Sequence, residues 1–278
     1  MPPLDAFNGF LQIMPGFQAR PRISHVAFDF DGTISLIRQG WPEVMVPMLV
    51  ELLPRVDGDT DEGNRQMLYD DIMELNGKQT IYQMIQFAER VKERGGEPKE
   101  PVWYKREYLR RLDERIGDRV AGLRGGSVRR EEWLVHRVGE LLDKLRERGV
   151  VCYLLSGTDE EYVREEAALL GVDSHFEGRI YGARDDYQSF SKKIAMDRMF
   201  EEHGITGENL LSFGDGYVEI QNTKQLGGLA VAVASDEANN GSGKVDEWKR
   251  QRLLGVGADI VIADYRDAGP LLDMIFGN

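Results

Sequence analysis

Short, mostly apolar runs recur along the chain and predict the strands of a buried sheet. Several of them lack the alternation of polar and apolar residues that a sheet with one wet face would show, which is typical of parallel strands covered on both sides. A shorter run near residues 179–182 is a weaker strand candidate. The main runs cover residues 23–30, 150–155, 209–213, 229–234 and 259–265.

Helical periodicity fills the stretches between the later strands. An apolar stripe from Leu134 to Leu145 ends at Gly149, a residue suited to a helix C-terminus. Thr158 and Glu161 have the spacing of a capping box at the start of the next helix. Strands that alternate with helices indicate an α/β fold, with a doubly wound, Rossmann-like parallel sheet.

Residues 41–116 have a different pattern, without any strand-like run. Apolar residues at helical spacing predict three helices there, and a charged segment at 99–118 predicts a fourth. We therefore predict a core domain of residues 1–37 and 126–278, with an all-helical domain of residues 38–125 inserted after the first strand. The same patterns predict a short helix near residues 7–13 and a glycine-rich linker at 122–126.

The composition argues against several classes of protein, among them nucleic-acid-binding, disulfide-stabilised and membrane-spanning proteins. The 278 residues are 41% hydrophobic and carry a formal net charge of −13, which argues against a broad nucleic-acid surface. Cys152 is the single cysteine, so no internal disulfide can form. No stretch approaches the ~18 apolar residues of a membrane span, and the start lacks signal-peptide features. We expect a soluble cytoplasmic protein that binds neither membranes nor nucleic acid.

Polar residues follow the predicted strands, at the sheet edge where open parallel sheets bind ligands. They are Asp29 and Asp31 after the first run, the segment 156–158 after the second, and Asp215 and Glu219 after the third. Crowded carboxylates favour a divalent cation, and hard oxygen ligands suit Mg²⁺. Hydroxyl, lysine and free backbone N–H groups suit phosphate oxygens.

Two other interpretations of single motifs fail on their spacing. A calcium loop that started at Asp29 would place Gly40 where the twelfth-position glutamate belongs. The segment GSGK at 241–244 lacks the earlier glycine and the following Ser or Thr of a phosphate-binding loop.

The motifs DFDGT, LLSGT and FGDGYVE, with a lysine that opens a helix between the last two, occur in that order at strand ends. This pattern resembles the haloacid dehalogenase superfamily, in its phosphatase-like branch. The helical block lies where this superfamily inserts a C1-type cap. The acidic Asp31, two residues after Asp29, favours phosphate over halide as the group that reacts.

The resemblance implies a role for each matching residue. Asp29 would be the nucleophile and Asp31 the general acid and base. Mg²⁺ would bind the Asp29 carboxylate, the Asp31 backbone carbonyl and Asp215, and Glu219 would contact the metal through water. The residues expected to bind the phosphoryl group are Gly32, Thr33, Ser156, Gly157 and Lys192.

The apolar stripe of the helix distinguishes Lys192 from Lys193, its neighbour. Adjacent helical residues point about 100° apart, so only one of the two can face the site. Ala195, Met196 and Met199 follow Lys192 at three-, four- and seven-residue spacing, which places Lys192 on the buried face. Ser191 is the predicted N-cap of this helix, which should reach residue 203.

These residues predict a Mg²⁺-dependent phosphomonoester hydrolase that acts on a small phosphorylated metabolite through an aspartyl-phosphate. A phosphomutase, or a phosphonate hydrolase that uses Lys78 as a Schiff base, has the same core chemistry. A non-catalytic binding or regulatory protein would be expected to lack Asp29 or Asp31, and both are present. Candidate specificity residues are Arg38, Lys78, Gln79 and Tyr82.

Overall fold

The computed structural model describes residues 7–184, 186–188 and 191–278. Its centre is a seven-stranded sheet with strand order β1-β7-β6-β5-β2-β3-β4. All neighbouring strands run parallel except β1, which pairs antiparallel with β7. The predicted α/β class with a doubly wound sheet is confirmed. The strands are β1 Leu11–Ile13, β2 His25–Phe28, β3 Val151–Asp159, β4 Ile180–Ala183, β5 Leu210–Gly214, β6 Leu229–Val233 and β7 Ile260–Ile262.

The N-terminal segment is a strand, so the short helix predicted near residues 7–13 is wrong. Leu11 pairs with Ile262 and Ile13 with Ile260, and both are only partly buried at the sheet edge. Three residues are too few for periodicity to distinguish helix from strand, and the open edge of β7 decides the outcome. The helical insertion consequently follows the second strand in chain order.

The central strands are buried on both faces, as their composition predicts. Every residue of β2, β5 and β6 is buried. Phe28, the last residue of β2, pairs with Leu154 of β3 on one side and with Phe213 of β5 on the other. The carboxyl ends of these three strands therefore meet at one point of the sheet edge.

Four helices lie between β2 and β3, in the region where the sequence predicts only helices. Thr60 caps the second through a hydrogen bond from the Gly63 N–H, and Pro101 begins the fourth at a position where its missing N–H costs nothing. The division into two domains stays a prediction. The helices are α1 Pro42–Leu52, α2 Asp61–Glu74, α3 Thr80–Glu93 and α4 Pro101–Gly125.

The predicted linker at 122–126 is wrong, because α4 continues through Gly125. Gly126 then ends the helix in the left-handed conformation with φ 70°. Gly122 belongs to the last turn, where a Cβ would lie 2.5 Å from Cγ2 of Val128. These glycines therefore serve a tight helix end and its packing.

The remaining helices cover the two faces of the sheet. None of the helices in the described ranges is long and apolar enough to cross a lipid bilayer. The helices are α5 Val138–Glu147, α6 Glu160–Leu170, α7 Lys192–His203, α8 Tyr217–Gln225, α9 Glu247–Gly255 and α10 Ala268–Phe276.

Candidate active site

Asp29 lies directly after β2, where the sheet ladder still holds its backbone. Its N–H donates to the Phe213 carbonyl at 3.0 Å. Its side chain is almost fully buried, and Oδ1 accepts a hydrogen bond from the Phe30 N–H at 2.8 Å. The Lys192 ammonium lies 2.7 Å from the same oxygen. The strand thus delivers a fixed, buried carboxylate to the sheet edge.

Lys192 opens α7 and joins two carboxylates. Ser191 is the N-cap, accepting from the Ile194 N–H at 3.1 Å, as predicted. The ammonium of Lys192 donates to Glu219 Oε2 at 2.8 Å besides contacting Asp29. Lys193 points away, is half exposed and pairs with Asp197. The structure therefore brings Lys192, and not its neighbour, into the site.

Burial dominates the electrostatics around Asp29. It raises the pKa of Asp29 well above its usual value, Glu219 acts in the same direction, and Lys192 opposes both. Burial by itself disfavours a charged lysine, but Asp29 and Glu219 together raise the pKa of Lys192 above its usual value. The lysine therefore stays charged, and a further cation beside Asp29 would favour the ionised carboxylate.

Asp31 is supported by hydroxyl groups from β3. Its Oδ2 accepts from Thr158 Oγ1 at 2.8 Å and, at 3.4 Å, from Ser156 Oγ. Its Oδ1 is buried without a hydrogen-bond partner among the described residues. Burial raises the pKa of Asp31, although the Arg38 charge works against this rise. These are the surroundings of a carboxyl group that keeps a proton.

The predicted capping box of Thr158 and Glu161 is wrong. Helix α6 begins at Glu160, and Asp159 precedes it without a side-chain capping hydrogen bond. The Thr158 hydroxyl is directed to Asp31 instead. The strand also extends through Asp159, so Ser156 and Gly157 belong to β3 and do not follow it.

Gly157 lies where the helical insertion touches the sheet. A Cβ on Gly157 would lie 2.5 Å from the backbone oxygen of Lys78. Ser156 beside it is buried, and its Oγ accepts from the Thr158 N–H at 3.0 Å. The missing side chain therefore lets the loop before α3 approach the end of β3.

Gly32 and Thr33 form the turn that seats Asp215. Gly32 has φ 73°, and a Cβ there would lie 2.2 Å from Asp215 Oδ2. Thr33 Oγ1 accepts from the Asp215 N–H at 2.9 Å. The N–H groups of Gly32 and Thr33 bond to Ser35 and Phe30 carbonyls within the turn. Their contact with a phosphoryl group stays a prediction.

Glu219 is a buried capping residue at the start of α8. Its Oε1 accepts from the Gly216 N–H at 2.6 Å, while Oε2 accepts from Lys192. Asp29, Asp215 and Glu219 offer oxygens that all lie within 4.8 Å of one another. This set of hard, anionic oxygen donors fits a small divalent cation.

Two buried cations near the site form ion pairs with carboxylates, and the sequence pattern does not indicate these pairings. Lys249, in α9, contacts Asp215 Oδ2 at 2.9 Å and Glu237 Oε1 at 2.6 Å. Arg38 donates to Glu166 Oε1 from both Nε and Nη2, at 3.0 and 2.7 Å. Lys249 lies in a highly charged stretch, which is typical of a solvent-exposed helix. Its burial beside Asp215 is visible only in the three-dimensional structure.

A cleft separates the helical insertion from the sheet edge. Two of the four candidate specificity residues line this cleft, and the other two contact Tyr187. Arg38 and Lys78 line the cleft. The Gln79 side chain donates to the Tyr187 carbonyl, and the Tyr82 ring packs edge-on against Tyr187. Other lining residues from the insertion are Trp41, Met45, Asn76, Thr80, Gln83, Lys105, Tyr108 and Leu109.

One family model matches the larger part of the chain. Residues 23–227 match the family described as haloacid dehalogenase-like hydrolase, and this span contains every predicted site residue. No curated protein matches the chain significantly.

Solved structures share the fold at low sequence identity. A predicted phosphoglycolate phosphatase from Haemophilus somnus is 16% identical, with 90% of this chain and 98% of that chain covered and a TM-score of 0.59. CbbY from Rhodobacter sphaeroides, in complex with xylulose-(1,5)bisphosphate, is 16% identical. The match covers 89% of this chain and 96% of that chain, with a TM-score of 0.57. A putative beta-phosphoglucomutase from Bacteroides vulgatus is 12% identical. The match covers 94% of this chain and 92% of that chain, with a TM-score of 0.60.

Proposed function

The chain belongs to the haloacid dehalogenase-like hydrolases, and on that premise we propose that it is a Mg²⁺-dependent phosphomonoester hydrolase. The observation that carries the proposal is the buried Asp29–Lys192–Glu219 arrangement beside the hydroxyl-bound Asp31. The named neighbours, which include a predicted phosphatase and a sugar bisphosphate complex, support a small phosphorylated metabolite as substrate. We assign a cytoplasmic location on composition.

Asp29 attacks phosphorus in line, and Asp31 moves the protons. As the bond from the Asp29 oxygen to phosphorus forms, the ester P–O bond breaks and Asp31 donates a proton to the leaving oxygen. Asp31 then removes a proton from water, which attacks the aspartyl-phosphate and releases inorganic phosphate. Asp31 Oδ1, which has no hydrogen-bond partner in the described part of the chain, makes these proton transfers.

The other side chains hold the phosphoryl group and its charge. Lys192 and the Ser156 hydroxyl bind the phosphoryl oxygens and stabilise their negative charge during the transfer. Asp29, the backbone carbonyl of Asp31 and Asp215 would hold Mg²⁺, which would neutralise phosphate charge. Glu219 fixes Lys192 through its 2.8 Å contact.

Phosphate release from p-nitrophenyl phosphate, measured with and without Mg²⁺, tests the proposal directly. We expect release that depends on Mg²⁺ and is faster for one member of a panel of phosphorylated metabolites. A phosphomutase would instead convert its substrate to an isomer without net phosphate release. Binding of the panel compounds without turnover would identify a regulatory protein and overturn the proposal.

Lys192→Ala should cost far more activity than Lys193→Ala. The Lys192 ammonium contacts Asp29 in the buried site, whereas Lys193 is half exposed and pairs with Asp197. Loss of a buried charge donor from a phosphoryl site reduces kcat by about 10²-fold or more. The neighbouring substitution is the matched control, and steady-state kinetics of both variants decide the order. A larger loss in Lys193→Ala would contradict the assignment.

Asp215→Asn should raise the Mg²⁺ concentration needed for half-maximal activity. The substitution removes one negative charge from the predicted metal ligands and keeps the side-chain shape. Glu219→Gln is the comparison, because Glu219 already binds Lys192 and the Gly216 N–H. We expect a smaller shift in that variant. An unchanged Mg²⁺ titration in Asp215→Asn would remove this residue from the ligand set.

A further inference from the structure

Lys249 provides a second buried ammonium, which contacts Asp215. Helix α9 carries the side chain inward from a strongly charged exterior, and the residue is 7% exposed. Its Nζ lies 2.9 Å from Asp215 Oδ2, 2.6 Å from Glu237 Oε1 and 3.4 Å from Ser235 Oγ. A buried lysine with three such acceptors is a fixed part of the site.

Each of the two lysines joins two carboxylates, so the site contains two separate chains of charged side chains. Lys192 bridges Asp29 and Glu219, and Lys249 bridges Asp215 and Glu237. The first chain follows from the sequence motifs, but the second involves residues outside them. Asp29 and Glu219 therefore share one buried cation, and Asp215 has another.

Lys249 engages one particular oxygen of Asp215. The ammonium contacts Oδ2, while Oδ1 accepts a long 3.4 Å hydrogen bond from the Thr33 hydroxyl. The Asp215 N–H donates to the Thr33 hydroxyl at 2.9 Å, which fixes the backbone that carries the carboxylate. A cation that bound both oxygens of Asp215 would have to compete with the Lys249 ammonium for Oδ2.

We propose that Lys249 is a positioning residue that limits Asp215 to one metal-ligating oxygen and thereby favours Mg²⁺ over Ca²⁺. Mg²⁺ takes six ligands in near-ideal octahedral geometry, with one oxygen from each carboxylate. Ca²⁺ accepts six to eight oxygens and often binds both oxygens of a carboxylate. The nearby positive charge also weakens the binding of any cation. The inference rests on the metal site of the proposed function.

The neutral variant Lys249→Met tests this role, because it keeps the unbranched chain and removes the ammonium. Lys244→Met is the matched control, since Lys244 is an exposed residue in the same region. The double variant Lys249→Met with Glu237→Gln removes the pair together and leaves no unpaired glutamate. It replaces the single variant if circular dichroism shows that the latter is unfolded.

Isothermal titration of the metal-free proteins with Mg²⁺ and with Ca²⁺ gives the readout without turnover. We expect Lys249→Met to bind Mg²⁺ roughly tenfold tighter, with a larger gain for Ca²⁺, so that the preference for Mg²⁺ falls. Lys244→Met should match the wild type. An unchanged preference, or weaker Mg²⁺ binding, would overturn the role of Lys249 alone. A wild type that binds neither cation would overturn the proposed metal site itself.

Discussion

Asp29→Asn should abolish phosphate release while the fold remains intact. An amide cannot act as the nucleophile, so no aspartyl-phosphate forms. The asparagine oxygen can still accept from the Phe30 N–H and from Lys192, as Asp29 Oδ1 does. Burial raises the pKa of Asp29, so a neutral amide relieves the cost of a buried charge. Thermal unfolding should therefore occur at an equal or higher temperature.

The matched control is Asp264→Asn. Asp264 is also a buried aspartate that follows a strand, but it pairs with Arg266 and does not line the cleft. This variant should retain turnover even if its stability falls. Steady-state phosphate release and a melting curve on both variants separate chemistry from folding. Wild-type rates in Asp29→Asn would overturn the nucleophile assignment.

Asp31→Asn should slow turnover by roughly 10² to 10⁴-fold, the usual contribution of a positioned acid–base group. The loss should be largest for alkyl phosphates, whose leaving oxygen needs a proton. It should be smaller for p-nitrophenyl phosphate, whose leaving group departs as a stable anion. Equal losses for both substrates would exclude proton donation to the leaving group.

The pH profile gives a second test of Asp31. Burial raises the pKa of Asp31, so its carboxyl group stays protonated to higher pH than an ordinary aspartate. For an alkyl phosphate, kcat/KM should then fall as pH rises through that pKa. Asp31→Asn should lose this limb, because the amide does not titrate. A limb that persists in the variant would belong to another group.

The polar residues at the strand ends could be predicted to lie together, because the pairing of the strands places them at one edge of the sheet. Buried runs predict β2, β3 and β5, and parallel pairing places Asp29, Ser156 and Asp215 at one edge. Lys192 could be chosen over Lys193 because helical periodicity orients α7. In these cases a local pattern and the tertiary structure agree.

The missed features depend on contacts between residues that are distant in sequence. Lys249 reaches Asp215, and Arg38 reaches Glu166, without any periodic pattern that links the partners. Thr158 has a good local capping pattern, but a buried carboxylate offers its hydroxyl a stronger partner. Tertiary hydrogen bonding therefore decided what local spacing could not.

The N-terminal strand also has a consequence for how the chain folds. Leu11 pairs with Ile262, so this segment cannot pair until a strand far along the sequence has been synthesised. Contacts that close so long a loop form late and slow the final step of folding. Until then β7 is an exposed edge that can pair with another chain. By pairing with β7, Leu11–Ile13 closes an edge that could otherwise join to a second molecule.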